Sequence, residues 1–372
     1  PCIDGRNAGP RPSLNYWNEP RGIIKVGGAN VPSDRMPAYI TIENLDIRSG
    51  RPPYTYKGRE GIAPYANNAA AIFIEKGQHV TIRNCRLSDC GNGFFCASKS
   101  ADILVEGCSI RDNGIEDRFY EHNSYTEADG IVFQFNHYGP LRTGCLGNNL
   151  KDRSAGTVIR YNWIEDGNRQ LDLVDSDHKE LIDQSAYRET HVYGNILIEE
   201  DGQGNRQIVH YGGDSNDQDR YRKGTLYFYN NTVISTRTDR TTLFRLSSND
   251  ESAEVWNNVF YSTHPGDRLA ISNADGKLTL SHNWLNEDWR KSHGNLTGTV
   301  ESKDHLIGSF PGFADLDSSD YHLTPTSECR DAGIDHSKSS GHPVILEYVK
   351  PQSQAPRHND QRIDLGAYEF VE

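Results

Sequence analysis

Methionine is nearly absent, one residue in 372, and apolar residues of all kinds reach only 35%. Long Leu- and Met-rich amphipathic helices therefore cannot dominate the fold. No run of about 18 apolar residues occurs, so nothing reads as a membrane-spanning helix. A basic excess is missing too: 39 Lys and Arg face 52 Asp and Glu, a net charge of −13. A nucleic-acid binder normally presents a basic surface, so that class is set aside. An anionic sugar is not excluded, because a local cluster of cations can set the field inside one cleft. The patterns GxxxxGKS/T, GxGxxG after a strand and HExxH are absent, and Cys85, Cys90, Cys96 and Cys108 contain no CxxC pair. Seven cysteines is an odd number, so at least one thiol stays unpaired in any intramolecular scheme. Cys2 with Cys329 would be a disulfide joining the termini; most of the others read as small buried hydrophobes. No signal peptide is visible, and a chain opening PCIDGRN without Met reads as a mature, secreted or periplasmic form.

What is present is repetition. TIRNCRLSD, LVEGCSIRD, VIRYNWIED, VYGNILIEE, FYNNTVIS, VWNNVFYS and LSHNWLNE share one pattern: an apolar residue, two variable ones, Asn or Cys, then an apolar residue two further on. The central column is Cys85, Cys108, Asn162, Asn195, Asn231, Asn258 and Asn283, with Leu45 fitting ahead of it. Its spacings are 40, 23, 54, 33, 36, 27 and 25 residues. A second strand-like series, GFFCAS, GIVFQFN, RQLDLVD, RQIVHYG, TTLFRLS and RLAISN, lies between these units. Two or three short strands per repeat, with insertions of varying length, predict an all-β fold, a right-handed parallel β-helix whose coils stack at about 4.8 Å. Buried Asn at a coil corner can bond the backbone and its counterparts above and below. A propeller would need more even spacings, and a jelly roll more two-residue hairpins. Residues 1–35 read as an entry or cap segment, 36–300 as the helix, and 301–372 as final coils and cap of the same, monomeric domain.

The 54-residue interval points to the functional face. It holds two polar excursions, NGIEDRFYEHNSYTEAD and HYGPLRTGCLGNNLKDRSAG, and long loops on a regular solenoid usually build a binding surface. NNLKDRSAGTVIRYNWIEDG resembles the coil carrying the catalytic Lys in the β-helical polysaccharide lyases of the chondroitinase B and alginate lyase family, polysaccharide lyase family 6. The resemblance covers roughly residues 147 to 164. It implies an anionic polysaccharide or oligosaccharide as partner, Lys151 as base, Arg160 to Asn162 as the following strand, and calcium as cofactor. The chain departs from that family twice: RQLDLVDSD stands where an Arg-His pair is expected, and TGCLGNN stands where calcium-binding acids are expected. No EF-hand or nonapeptide calcium pattern is present, and no residue is assigned as a metal ligand.

β-Elimination from a uronic acid needs a cation on the carboxylate, a base for the C5 proton and an acid for the leaving oxygen. Lys151 crowded by Arg153, with Arg160 or Arg169 nearby, would have its pKa lowered by like charge. The same arginines could clamp a carboxylate, or pair with Asp166 or Asp152. Asp172 and Asp175 could instead be the carboxylate pair of a glycoside hydrolase, or turn caps. His210 and Tyr211 in IVHYGGD and Arg245 in LFRLS follow in the same strand series; His122, Tyr125 and Glu127 are loop candidates. A non-catalytic sugar-binding or surface protein is the third alternative, because fold alone implies no function.

Overall fold

The computed structural model describes residues 1–372 apart from 10–14, 17–18, 32–34, 203, 336–340 and 359. The proposed N-terminal cap therefore lies partly outside the described residues. Three walls of parallel strands wind around one core. The back wall has eleven short strands, from Cys2–Asp4 to Leu306–Gly308. The front wall includes Ser124–Thr126, Leu150–Asp152, Leu171–Leu173, Gln207–Tyr211 and Thr241–Leu246. The side wall includes Asp129–Gln134, Ala155–Arg160, Glu189–Tyr193, Thr225–Tyr229 and Ser252–Trp256. In the early coils Ala70–Arg83 and Asn92–Glu106 run unbroken from the front wall to the side wall. The only α-helical turn among the described residues is Lys179–Ile182.

The corner between side and back walls explains the repeated Asn. In coil after coil the residue just before the column is left-handed, with φ of 57° at Phe135, 55° at Tyr161, 65° at Gly194 and 49° at Asn230. That turn leaves backbone groups with no strand to pair with, and buried backbone groups must find partners. Each Asn supplies them. Asn195 Oδ1 accepts the backbone N–H of Asn162 at 2.9 Å, and its Nδ2 donates to the carbonyls of Ile159 and Tyr193, both at 3.0 Å. Cys108 does a weaker version of the same task, accepting the Cys85 N–H at 3.4 Å. The apolar residues flanking the column stack in register as inward ladders, Ile82, Val105, Phe133, Ile159 and Val192 on one wall and Leu87, Ile110, Tyr138, Ile164 and Leu197 on the other.

The 54-residue interval resolves into two coils. Asn136 belongs in the column: it donates its Nδ2 to Asn162 and accepts the Cys108 N–H at 2.9 Å. GIVFQFN therefore lies on the side wall, and the front strand of its coil is Ser124–Thr126, three residues too short and too polar to announce themselves. The terminal disulfide is also corrected. All seven thiols are free; Cys2 is exposed on the back wall, whereas Cys329 is buried beneath the C-terminal tail. That tail doubles back along the solenoid. Residues 342–346 cover a side-wall stack of Phe135, Tyr161, Tyr193, Tyr229 and Trp256, with Tyr229 Oη donating to the His342 carbonyl at 2.8 Å. Farther along, the Gly366 N–H reaches the Asn257 carbonyl at 2.8 Å.

Candidate functional site

Parallel, in-register pairing gives the front wall an outward row of Phe95, Tyr125, Lys151, Asp172, His210 and Arg245, one per coil. The residues on either side point inward: Leu150, Leu171, Leu173 and Val209 are fully buried in the core. Asp152, beneath Lys151, is also inward, bound by the hydroxyls of Thr126, Ser154 and Thr157 and paired with a buried Arg222. The row is thus mounted on a packed, hydrogen-bonded floor.

A cleft of about 470 Å³ opens over it, and Lys151, Arg153, Arg169, Asp172, His210, Arg245, His122 and Tyr125 all line it. Lys151 Nζ lies 2.6 Å from Asp172 Oδ2 and 2.6 Å from Asp214 Oδ2. Arg153 pairs with the other oxygen of Asp214 at 2.8 Å and donates to Tyr125 Oη at 3.1 Å. Asp172 Oδ1 meets His210 Nδ1 at 2.8 Å, and His210 Nε2 meets Ser247 Oγ at 2.9 Å. Asn148 Nδ2 donates to Asp172 Oδ2 at 2.7 Å, while its buried Oδ1 has no partner among the described residues. Arg245 has neither an ion pair nor a hydrogen bond among the described residues.

The electrostatics revise one expectation. Burial pulls the Lys151 ammonium down and Arg153 adds to it, but Asp172 and Asp214 outweigh both, so its pKa lies above the ordinary value rather than below. Asp172 is fully buried, which disfavours its charge, yet Lys151, His210 and Arg169 hold it well below the usual carboxylate range. Asp214 is lowered against burial by Lys151 and Arg153. Burial, with Lys151 nearby, pushes His122 down to about 3. Its Nδ1 accepts the Asn148 N–H at 2.9 Å, so the neutral ring carries its proton on Nε2. Burial likewise lowers His210, against the pull of Asp172.

Four other candidates, Asp175, Arg160, Tyr211 and Glu127, lie outside the lining of the cleft. Asp175 is fully buried and braces the 214–215 turn, accepting the Asp214 N–H at 2.7 Å and the Ser215 hydroxyl. Arg160 is on the side wall, donating to Gln134 at 2.8 Å and Tyr193 Oη at 3.0 Å. Tyr211 follows outward His210 and so points into the core, where it is fully buried. Asp166 pairs with no arginine among the described residues; it accepts the Glu200 N–H at 3.3 Å. Glu127 bonds Ser176 and lies 3.6 Å from His178, outside the lining of the cleft. Sequence reasoning passed over Asp214 and Asn148. The signal for Asp214 was the Gly212-Gly213 pair before it: Gly212 has φ 129°, and a Cβ on Gly213 would lie 2.0 Å from the Tyr221 ring.

Calcium does not fit this donor set. The two cleft carboxylates already serve Lys151 and Arg153, and among the described residues no group of three His, Cys, Asp or Glu could hold a metal ion. A divalent cation at Asp172 or Asp214 would meet those two positive charges first. A family model described as a right-handed beta helix region matches residues 24–216. No curated protein matches the chain.

Proposed function

From a chain that belongs to the right-handed β-helix family, whose members include polysaccharide lyases and hydrolases, we propose an enzyme that cleaves a uronate-containing polysaccharide by β-elimination, as the local likeness to polysaccharide lyase family 6 implies. One observation carries this reading. Four cations, Lys151, Arg153, Arg169 and Arg245, converge on one cleft of a protein of net charge −13, and among the described residues that line it only Asp172 and Asp214 oppose them.

Asp214 marks where a substrate carboxylate binds. Its side chain is 33% exposed; one oxygen holds Lys151 and the other Arg153, and a uronate would replace it on Arg153 alone. When the uronate takes that place on Arg153, with Arg169 and Arg245 beside it, C5 becomes acidic enough to lose its proton. Lys151, released from Asp214, is left with burial and Arg153 pulling its pKa down against Asp172 alone, which favours the neutral amine. Lys151 takes the C5 proton, the C4–O bond breaks as C4=C5 forms, and the resulting ammonium returns the proton to the leaving oxygen. His122 Nε2–H is a further donor in the same cleft.

The hydrolase reading rests on Asp172 and Asp214, which touch the same Nζ. Such a mechanism needs one carboxylic acid of raised pKa. Both of these are lowered, which favours the lyase. The test is absorbance near 230 nm, the signature of an unsaturated uronate, with alginate, polygalacturonate and glycosaminoglycans, with and without EDTA. Lys151→Arg keeps the charge but cannot become neutral, and is expected to abolish the signal. New reducing ends without absorbance would sink the lyase reading in favour of hydrolysis.

A further inference from the structure

Phe119 and Tyr120 are 59% and 73% exposed, adjacent in sequence, and both line the cleft that holds Lys151. Leu146, 38% exposed, lines it as well. Exposed large aromatics on a loose loop would need no explanation, but this loop is stapled. Asp117 N–H bonds the Gly144 carbonyl and Leu146 N–H bonds the Arg118 carbonyl, both at 2.9 Å, and Glu116 bridges Cys145. The two rings lie between Arg118 and Glu121 in sequence, and Arg118 Nε reaches both oxygens of the buried Glu121, at 3.1 and 3.0 Å. Gly147 lets the two segments close: a Cβ there would lie 1.8 Å from the Glu121 carbonyl oxygen. The chain thus orders a loop that leaves both rings largely open to solvent, with the Arg118 guanidinium 6.0 Å from the centre of the Tyr120 ring.

Resting on the uronate reading of the cleft, we propose that Phe119 and Tyr120 form a stacking subsite for a second pyranose ring, next to the sugar held by the cations. A pyranose presents polar edges and an apolar C–H face, so a rigid aromatic surface gains contact area with little conformational cost. Continuity with the cation cluster selects this occupant: a sugar polymer satisfies both halves of the cleft, cations on the carboxylate and rings on the neighbour's C–H face. The site therefore selects for chain length as well as charge.

The experiment compares wild type with Phe119→Ala/Tyr120→Ala, using galacturonate, mannuronate and glucuronate oligomers of two to six sugars. Binding is measured calorimetrically on a Lys151→Arg background, where turnover does not interfere. The aromatic double substitution is expected to weaken the longer oligomers about tenfold, the loss of one aromatic anchor, and to leave monomeric uronates unchanged. Equal binding of long oligomers by both proteins overturns the subsite, even if absorbance at 230 nm shows the lyase reading to be correct. A length-dependent loss without any lyase activity upholds the subsite and rejects the reaction. No oligomer binding at all rejects both, and self-association abolished by the aromatic substitutions would make the patch an interface between copies instead.

Discussion

Lys151→Met probes whether the charges of the cleft form one unit. The Lys151 side chain is 8% exposed and that of Asp172 3%, at 2.6 Å. Unit charges about 4 Å apart attract by about 4 kcal/mol at an effective dielectric of about 20. Deleting one partner of a buried pair costs about 3–5 kcal/mol, because the survivor is left uncompensated. Asp172 would keep Asn148 and His210 as neighbours, which places the expected loss near the lower end, about 3 kcal/mol. Asp172→Asn is milder, about 1–2 kcal/mol, since Lys151 retains the partly exposed Asp214. If the pair itself sets the cost, Lys151→Met with Asp172→Asn is less destabilised than the two single losses added together, by about 2 kcal/mol or more. Equilibrium guanidinium unfolding followed by tryptophan fluorescence measures all three. Additivity to within about 0.5 kcal/mol would refute the coupled cleft. It would also separate the cause of any lost activity in Lys151 variants from lost fold.

Two further outcomes follow from the corner and from one buried acid. Asn195→Leu orphans the buried Asn162 N–H and removes the bonds to Ile159, Tyr193 and Asn231, an expected loss of about 4 kcal/mol; Asn195→Cys, the residue the column uses at Cys108, should lose clearly less by the same denaturation assay. Asp166 is raised to about 7 by burial with Glu200 and Glu165 nearby; its contribution to stability is present below about pH 3.8 and disappears as pH climbs through 7. Asp166→Asn, which tolerates the same φ of 58°, should match wild type in Tm near pH 4 and exceed it at pH 8, and equal Tm values at both would refute the assignment.

The solenoid was legible because an in-register stack repeats its constraints: every coil must turn the same corner and fill the same core layer, so Asn and its apolar flanks recur. The coil of Asn136 escaped because its front strand, Ser-Tyr-Thr, has no hydrophobic period. Asp172, His210 and Arg245 were legible as members of one strand series, and alternation on a buried strand decides which of its residues face out; Lys151, which reads as a loop residue in the sequence, joins their row through the three-residue strand Leu150–Asp152. Tyr211 fails by that same rule, one position on. Lys151's ionisation was not legible: Arg153 is two residues away in sequence, but the carboxylates that counter it come from Asp172, 21 residues on in the next coil, and Asp214, 63 residues later, through a turn only glycines allow.

The returning tail has a consequence for biosynthesis. Coils can stack in the order they leave the ribosome, each resting on the last, yet the aromatic stripe from Phe135 to Trp256 waits for residues 342–346. Tyr161 Oη meets the Ile345 N–H 184 residues downstream, at 3.1 Å. A nascent chain with its groove already shaped therefore carries an uncovered, sticky flank until residues 342–346 have emerged, which makes that segment a seal whose late arrival sets the interval during which half-made molecules can adhere to one another.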